Sequence, residues 1–248
     1  AARTDLPQFN WADAEGPTQA LANALAGLTI KNMAIDGSMR ADFLLPLLTA
    51  VQPEQTQTIE SLLAPLRACK SAQEIEAMTQ AAAQADRAMQ AAIDACRPGV
   101  TESAVAWVAE EAFRKDGAEA VTFTLTASGP NGARPHHHSG ERVMQVGDAI
   151  VLDIGATLNG YQSDMTRMVF LGDPPAEFIK AYEAVLAANR AGRAAVKPGV
   201  SAQAVDQATR RTLEKAGYGD YFIHRTGHGI GLDIHEAPWI MDGNEQLL

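Results

Sequence analysis

The segment PGVTESAVAWVAEEAFRKDG, Pro98–Gly117, recurs 100 residues later as PGVSAQAVDQATRRTLEKAG, Pro198–Gly217. Seven of the twenty positions are identical, whereas about one or two would be expected from ordinary residue frequencies. Each copy contains a PGV turn, a Thr or Ser suited to cap a helix, an amphipathic stretch and a terminal glycine. A further helical segment precedes each copy, at residues 74–95 and 176–196. This spacing predicts a duplicated fold.

Strand-like segments follow each copy of the repeat. After the first copy, polarity alternates along Ala120–Ala127, and two apolar runs, Ala149–Ile154 and Met165–Leu171, flank the hairpin signal Asn159-Gly160. After the second copy, strands are expected to begin at Tyr221–Arg225. Helices that alternate with antiparallel strands in this way indicate an α+β fold.

The part of the chain before the repeat predicts a separate small α/β domain over residues 1–69. Residues 11–28 are rich in alanine and predict a helix, and residues 31–36 predict a short strand. A second helix is expected at Met39–Val51, and Ile59–Leu66 is a further apolar segment.

A larger domain is expected to begin near residue 70 and to run to residue 248. Ser71 and Glu74 form a capping-box pattern, with serine as the N-cap and glutamate three residues later. A long helix should follow as far as about Ala95, before Pro98 and Gly99 end it.

Composition excludes some classes of protein. A formal net charge of −10 over 248 residues argues against a nucleic-acid binder, which needs a basic face. The sequence holds no apolar stretch of membrane-spanning length, so no membrane association is expected. Cys69 and Cys96 occur singly in helix-like segments, which fits a reducing, cytoplasmic compartment.

Two aspartates indicate a metal site. A two-residue turn at Asn159-Gly160 places Asp153 opposite Thr166, with Asp164 on the same face of the hairpin. Diagonal neighbours of this kind lie about 7–8 Å apart, and two carboxylates so close repel unless a cation or a shared proton intervenes. A pair of divalent ions about 3.5–4 Å apart fits this span. The alternative is that both are turn or surface acids, which the apolar neighbours of Asp153 disfavour.

A histidine cluster adds nitrogen donors. His224, His228 and His235 fall within twelve residues. A single histidine among apolar residues is more often a structural core residue than a ligand, but three together favour a functional site. The glycines beside His228 resemble a nucleotide-binding loop only superficially, since no helix pattern follows.

The run His136-His137-His138 cannot bind one ion through all three rings, because successive residues of an extended chain point in opposite directions. One functional histidine with two incidental neighbours is the preferred interpretation. Asp233 and Glu236 lie near the other histidine cluster and are interpreted as exposed or structural.

Three long segments carry a resemblance to a known family. The stretches SGPNGARPHHHSGERVMQVGDAIVLDIGATLNGYQSDMTRMVF and FIHRTGHGIGLDIHEAP resemble the two signatures of Xaa-Pro aminopeptidases and prolidases. LAPLRACKSAQEIEAM resembles the junction between that family's two domains. The resemblance covers about residues 60–248, and it implies the pita-bread metallopeptidase fold, itself a pseudo-twofold duplication. It further implies that residues 1–69 are the C-terminal part of the family's non-catalytic N-terminal domain, and that residues 70–248 are the catalytic domain without its last strands.

The resemblance implies a role for six residues. Asp153 matches the family's first metal ligand, Asp164 its bridging ligand and His228 its single histidine ligand. The remaining three match catalytic histidines that contact the peptide, stabilise the tetrahedral intermediate or move protons: His136, His224 and His235. The family completes its metal site with two glutamates on later strands, for which residues 1–248 offer no match. Weak metal binding and little activity are therefore expected of these 248 residues alone.

The implied function is metal-dependent hydrolysis of the peptide bond before proline, with proline as the second residue of the substrate. Two divalent ions are implied; carboxylate oxygens with one imidazole favour Mn²⁺, with Co²⁺ and Zn²⁺ as alternatives. The family is often dimeric, so a homodimer is expected. Two alternatives stay open: a non-catalytic peptide-binding module of the same fold, and a creatinase-like hydrolase that works without metal. The choice between dipeptides and longer peptides is also open.

Overall fold

The computed structural model describes residues 5–248, which fall into two compact units, the first ending at Leu66 and the second comprising Arg67–Leu248. In the first unit β1 and β2 pair in parallel. The elements that begin in the first unit are α1 (Thr18–Ala24), β1 (Asn32–Ile35), α2 (Ala41–Val51), β2 (Gln55–Thr58) and α3 (Glu60–Ala68). No helix of the described residues is both long and apolar enough to cross a bilayer.

Two features of the first unit differ from expectation. Helix α1 is much shorter than the predicted 11–28, because Gly16 (φ +68°) and Gly27 (φ +79°) hold left-handed backbone on either side of it and Pro17 is its N-cap. Strand β2 was not predicted, since its sequence QTQT is exposed throughout and carries no apolar alternation.

The second unit contains two helix pairs and an antiparallel sheet. In this sheet β4 pairs with β3 on one side and with β5 and β6 on the other. The elements are α4 (Ala72–Ala95), α5 (Glu102–Lys115), β3 (Ala120–Ser128), β4 (Ala149–Leu158), β5 (Tyr161–Gln162), β6 (Met165–Phe170), α6 (Ala176–Ala195), α7 (Ala202–Lys215), β7 (Gly227–Gly229) and β8 (Glu236–Ile240).

The duplication is confirmed in the backbone. Helix α7 begins and ends 100 residues after α5. The N-cap hydroxyls of Thr101 and Ser201 each accept a hydrogen bond at 3.2 Å from the backbone N–H three residues on. Gly117 and Gly217 end the two copies with φ of +83° and +84°. The capping box predicted at the start of α4 is also present.

In both halves the chain returns to the start of the repeated helix. The N–H of Gly99 donates to the carbonyl of Met144 at 2.9 Å, and that of Gly199 donates to Leu248 at 2.8 Å. Met144 lies 45 residues after Gly99, whereas Leu248 lies 49 residues after Gly199. The second half therefore has four additional residues, all in the segments between its helix and the returning chain.

The main core lies between helices α4 and α5 and one face of the sheet. Ile150, Leu152 and Ile154 of β4 are at most 1% exposed and belong to one apolar cluster with Met89 and Phe113 of these helices. Successive side chains of a strand point to opposite faces. Asp153, which lies between Leu152 and Ile154, therefore points away from the core.

The prediction of a strand at Tyr221–Arg225 is wrong. A 3-10 turn at Gly219–Tyr221 precedes irregular backbone, and the strand begins only at β7. Side chains of α7 satisfy the backbone of this segment: the guanidinium of Arg210 donates to two of its carbonyls, and Asp206 accepts the N–H of Thr226. A segment whose polar groups are satisfied in this way has no need of a β-ladder.

Candidate metal centre

The hairpin that carries both aspartates has the predicted register. Leu158 pairs with Tyr161, and Asp153 pairs with Thr166. Asn159 and the following glycine have φ of +53° and +78°, as a tight turn with two left-handed residues requires. The hydroxyl of Thr166 donates to Oδ1 of Asp153 at 2.7 Å.

Asp164 lies in an interruption between β5 and β6. Its neighbour Ser163 is buried, and the Ser163 hydroxyl both accepts from the N–H of Ala156 at 3.1 Å and donates to that residue's carbonyl at 3.2 Å. The interruption fits because Gly155 has no side chain: a Cβ there would lie 2.3 Å from the carbonyl oxygen of Ser163. Asp164 thus lies in the break between β5 and β6, close to His228 and His235.

His228 lies on β7 with its ring fixed by the backbone. Its Nδ1 is 2.9 Å from the carbonyl oxygen of Gly229. Because a carbonyl oxygen can only accept, Nδ1 carries the proton and Nε2 of the neutral ring is left as a donor atom for a metal. That Nε2 lies 3.5 Å from Oδ2 of Asp164.

One carboxylate and two imidazoles converge. Ligand atoms of Asp164, His228 and His235 all lie within 4.8 Å of one another. The rings of the two histidines meet edge to face, with centroids 4.4 Å apart. His235 was expected to act on the substrate, but its ring nitrogen lies close enough to the ligand atoms of Asp164 and His228 to share a metal ion with them. Asp153 lines the same cavity beside this group of three.

The electrostatics of the site favour a cation. Burial raises the pKa of Asp153 and the nearby charge of Asp164 raises it further, against the hydrogen bond from Thr166, which lowers it. Burial lowers the pKa of His235, as do the charges of His228 and Arg225. A carboxylate that is costly to ionise, Asp153, and an imidazole whose neutral form is favoured, His235, suit a site for a divalent ion.

A cavity of about 650 Å³ gathers all the sequence-predicted site residues. It is lined by His136, Asp153, Asp164, His224, His228 and His235. Phe123 and Leu125 of β3, together with Pro135, contribute apolar wall. A pocket of this size with a polar floor and apolar walls suits a small peptide.

The histidine triplet and the two acids near the histidine cluster take different roles. All three histidines of the triplet line the cavity. His137 differs from the other two because its Nε2 lies 2.7 Å from a carboxylate oxygen of the buried Glu102. The prediction that the two acids are exposed or structural is confirmed: Glu236 is buried and bonded to Arg67 and Lys70, and Asp233 is exposed and accepts from Arg67.

Sequence reasoning missed Arg225. Its guanidinium lies 4.7 Å from the ring centroid of Trp239 and lines the cavity. Its position directly after His224 in the HRTGHG run was the available signal. The buried acids Glu102 and Asp206 were also missed, because the repeat alignment pairs each with an alanine.

Comparisons with known proteins identify the family of the chain. The profile of "Metallopeptidase family M24" matches residues 76–248. The probable dipeptidase PepE of Mycobacterium tuberculosis is 39% identical over 249 residues, covering 100% of this chain and 66% of that protein. The Xaa-Pro dipeptidase of Pyrococcus furiosus is 39% identical over 196 residues, covering 79% of this chain and 56% of that protein.

The fold is shared with solved structures. A crystal structure of recombinant prolidase from Thermococcus sibiricus superposes with a TM-score of 0.90 at 36% identity, covering 96% of this chain and 66% of that one. The chain thus spans about two thirds or less of the length of these relatives. With the family profile extending over most of its length, the chain belongs to metallopeptidase family M24 and has the pita-bread fold that its sequence predicted.

Proposed function

We propose that the protein hydrolyses the peptide bond preceding proline, with two divalent metal ions at the centre described above. The observation that carries the proposal is the convergence of Asp164, His228 and His235 within 4.8 Å, beside a second carboxylate and inside a peptide-sized cavity. Membership of family M24 supports it, as do relatives named Xaa-Pro dipeptidase.

The metal ligands in the proposal are Asp153, Asp164 and His228. Their mixed oxygen and nitrogen donors fit Mn²⁺ or a similar ion. Bound divalent ions would lower the pKa of a water and polarise a substrate carbonyl. The 3.5 Å between Nε2 of His228 and Oδ2 of Asp164 leaves these two atoms without a strong mutual hydrogen bond and free to share an ion.

The protein's own histidines would handle the substrate and its protons. His136 would contact the peptide from the β3 side of the cavity, while His224 and His235 face it from the other half of the fold. The lowered pKa of His235, caused first by burial, favours the neutral form of its ring. A neutral imidazole can accept a proton or hydrogen-bond the developing oxyanion.

The proposed substrate is a short peptide with proline in second position. The apolar wall of Phe123, Leu125 and Pro135 is chemically suited to a pyrrolidine ring. Relatives named prolidase and Xaa-Pro dipeptidase support the same substrate class.

The test combines metal analysis with substitution of one acid. The full-length protein should contain about two Mn-class ions per chain, and Asp164→Asn should lower turnover of an Xaa-Pro dipeptide by about a hundredfold. The control is Asp173→Asn, an exposed acid outside the cavity. A metal-free protein that still binds Xaa-Pro peptides would instead establish the binding-module alternative, and unchanged turnover in Asp164→Asn would remove that residue from the mechanism.

We also propose a cytoplasmic homodimer. The two cysteines are free thiols, as expected in a reducing compartment, and dimers are common in the family that the sequence resembles. Light scattering of the full-length protein and cell fractionation test these two points; a monomer, or a secreted form, would contradict them.

A further inference from the structure

Each of the duplicated helices buries one carboxylate. Glu102 of α5 and Asp206 of α7 are both 0% exposed. Neither lines the cavity. Burying a carboxylate costs free energy unless several hydrogen-bond donors satisfy it. The donors that bind these two side chains therefore indicate the role of each acid.

Glu102 binds the segment that carries His136. Its Oε1 accepts from the N–H and the hydroxyl of Ser128, each at 2.7 Å, and from the side-chain amide of Asn131 at 2.9 Å. Its Oε2 lies 2.7 Å from Nε2 of His137 and 3.3 Å from the N–H of Gly140. One side chain therefore ties down both ends and the centre of residues 128–140.

Glu102 is ionised under ordinary conditions. Burial raises its pKa, but hydrogen bonds from Asn131, His137 and Ser128 outweigh burial and lower the pKa to about 2. Hydrogen bonds to an ionised acceptor are about twice as strong as neutral ones. The loop is consequently held by a charge.

Asp206 binds the segment that carries the other histidines. Its Oδ1 accepts from the N–H of Thr226 at 3.1 Å and from the hydroxyl of the same residue at 2.7 Å. Its Oδ2 accepts from Nε of Arg210 at 2.5 Å. Arg210 in turn donates to the carbonyls of Phe222 and His224, at 2.9 and 2.6 Å. Residues 222–226 are thus fixed directly before β7.

The two acids do not occupy equivalent positions of the repeat. Position 202, which corresponds to Glu102, is an alanine, and position 106, which corresponds to Asp206, is also an alanine. Both alanines are buried. The buried acids are therefore not a feature that the two copies share: each half has one at its own position, bonded to its own histidine-bearing loop.

We propose that Glu102 and Asp206 are positioning residues: each holds one of the two histidine-bearing loops in place at the cavity, Glu102 the loop of His136 and Asp206 the loop of His224 and His228. The consequence for catalysis rests on the proposed function. The geometric claim concerns the histidine rings alone and can be tested without turnover.

The experiment records the ring resonances of the protein's six histidines by NMR in Glu102→Gln and Asp206→Asn, both nearly isosteric. Glu102→Gln should shift the signals of His136, His137 and His138 and leave the other three unchanged. Asp206→Asn should shift the signals of His224, His228 and His235 and leave the triplet unchanged. Equal shifts in both sets, or none in either, would overturn the proposal.

A control and two milder variants separate positioning from general stability. Gln84→Met removes a buried hydrogen bond from α4 to the carbonyl of Asp116, far along the chain from either loop, and should leave all six rings unchanged. Ser128→Ala and Thr226→Val each remove one donor hydroxyl and keep the acid. They should reproduce the two shift patterns at smaller amplitude, and they replace the full substitutions in the test if those unfold the protein. A pattern shared with Gln84→Met would contradict the proposal.

Metal affinity and kinetics then separate this proposal from the proposed function. Asp206→Asn should weaken Mn²⁺ binding by about 10–100-fold, the usual effect of removing a supporting partner, whereas Glu102→Gln should leave Mn²⁺ affinity unchanged and raise KM. Absence of Mn²⁺ binding in the unsubstituted full-length protein would defeat the proposed function and leave the ring pattern intact. An active Mn²⁺-binding protein with no selective ring pattern would defeat the positioning role alone.

Discussion

Replacing Glu102 with glutamine should remove a pH-dependent part of the protein's stability. The pKa of this group is lowered from 4.5 to about 2 in the folded protein. At about 1.4 kcal/mol for each tenfold change in an equilibrium constant, ionised Glu102 stabilises the fold by about 3 kcal/mol relative to its protonated form at neutral pH. Because the folded pKa is the lower one, this contribution is present above pH 4.5 and disappears as the pH falls towards 2.

The assay is urea unfolding of the unsubstituted protein and of Glu102→Gln, followed by circular dichroism at pH 7 and at pH 3. The difference in unfolding free energy between the two proteins should shrink by about 2 kcal/mol between these values, since at pH 3 only part of the ionised contribution remains. Other acids titrate in both proteins and cancel in the difference to first order. A difference that stays constant from pH 7 to pH 3 would refute the assignment of Glu102 as an ionised anchor. Gln84→Met should show such a constant difference and serves as the control.

Three further outcomes are expected. Cys69 is exposed and should react rapidly with a thiol reagent. Cys96 is partly buried, and burial raises its pKa to about 11, so its thiol should react much more slowly; two equally rapid thiols would contradict this. Thr101→Ala and Ser201→Ala remove matching caps and should each cost about 1 kcal/mol in chemical denaturation; a loss confined to one of them would show that the two caps are not equivalent. Gly155→Ala inserts a Cβ 2.3 Å from the carbonyl oxygen of Ser163. It should lower the free energy of unfolding by about 1–3 kcal/mol and also lower the metal content. A variant of unchanged stability and full metal content would contradict this packing.

The features that sequence patterns predicted well are set by local chemistry. The turn at Asn159-Gly160 needs two left-handed residues, and its position fixes the partner of Asp153 by counting. The repeated caps and terminal glycines fixed both ends of α5 and α7. Burial of alternate β4 residues then determined which face carries the acid.

The features that were missed depend on long-range contacts. The segment Tyr221–Arg225 has the composition of a strand, yet Arg210 satisfies its carbonyls, an interaction that no periodicity reveals. The place of His235 at ligand distance follows from the pairing of β7 with β8 and its irregular register. Glu102 and Asp206 lie in amphipathic helices, where an acidic residue normally indicates an exposed position.

The four additional residues of the second half bear on how such a cavity could arise. Two copies of a single half on separate chains would present the same loop from both sides, so an acidic hairpin would confront an acidic hairpin. Here the hairpin of Asp153 and Asp164 confronts a loop of imidazoles instead. With both halves in one polypeptide, the two sides can differ in length and chemistry, although helices α5 and α7 keep the same length and the same offset of 100 residues. Mutations in either loop can accordingly change the cavity without altering helices α5 and α7.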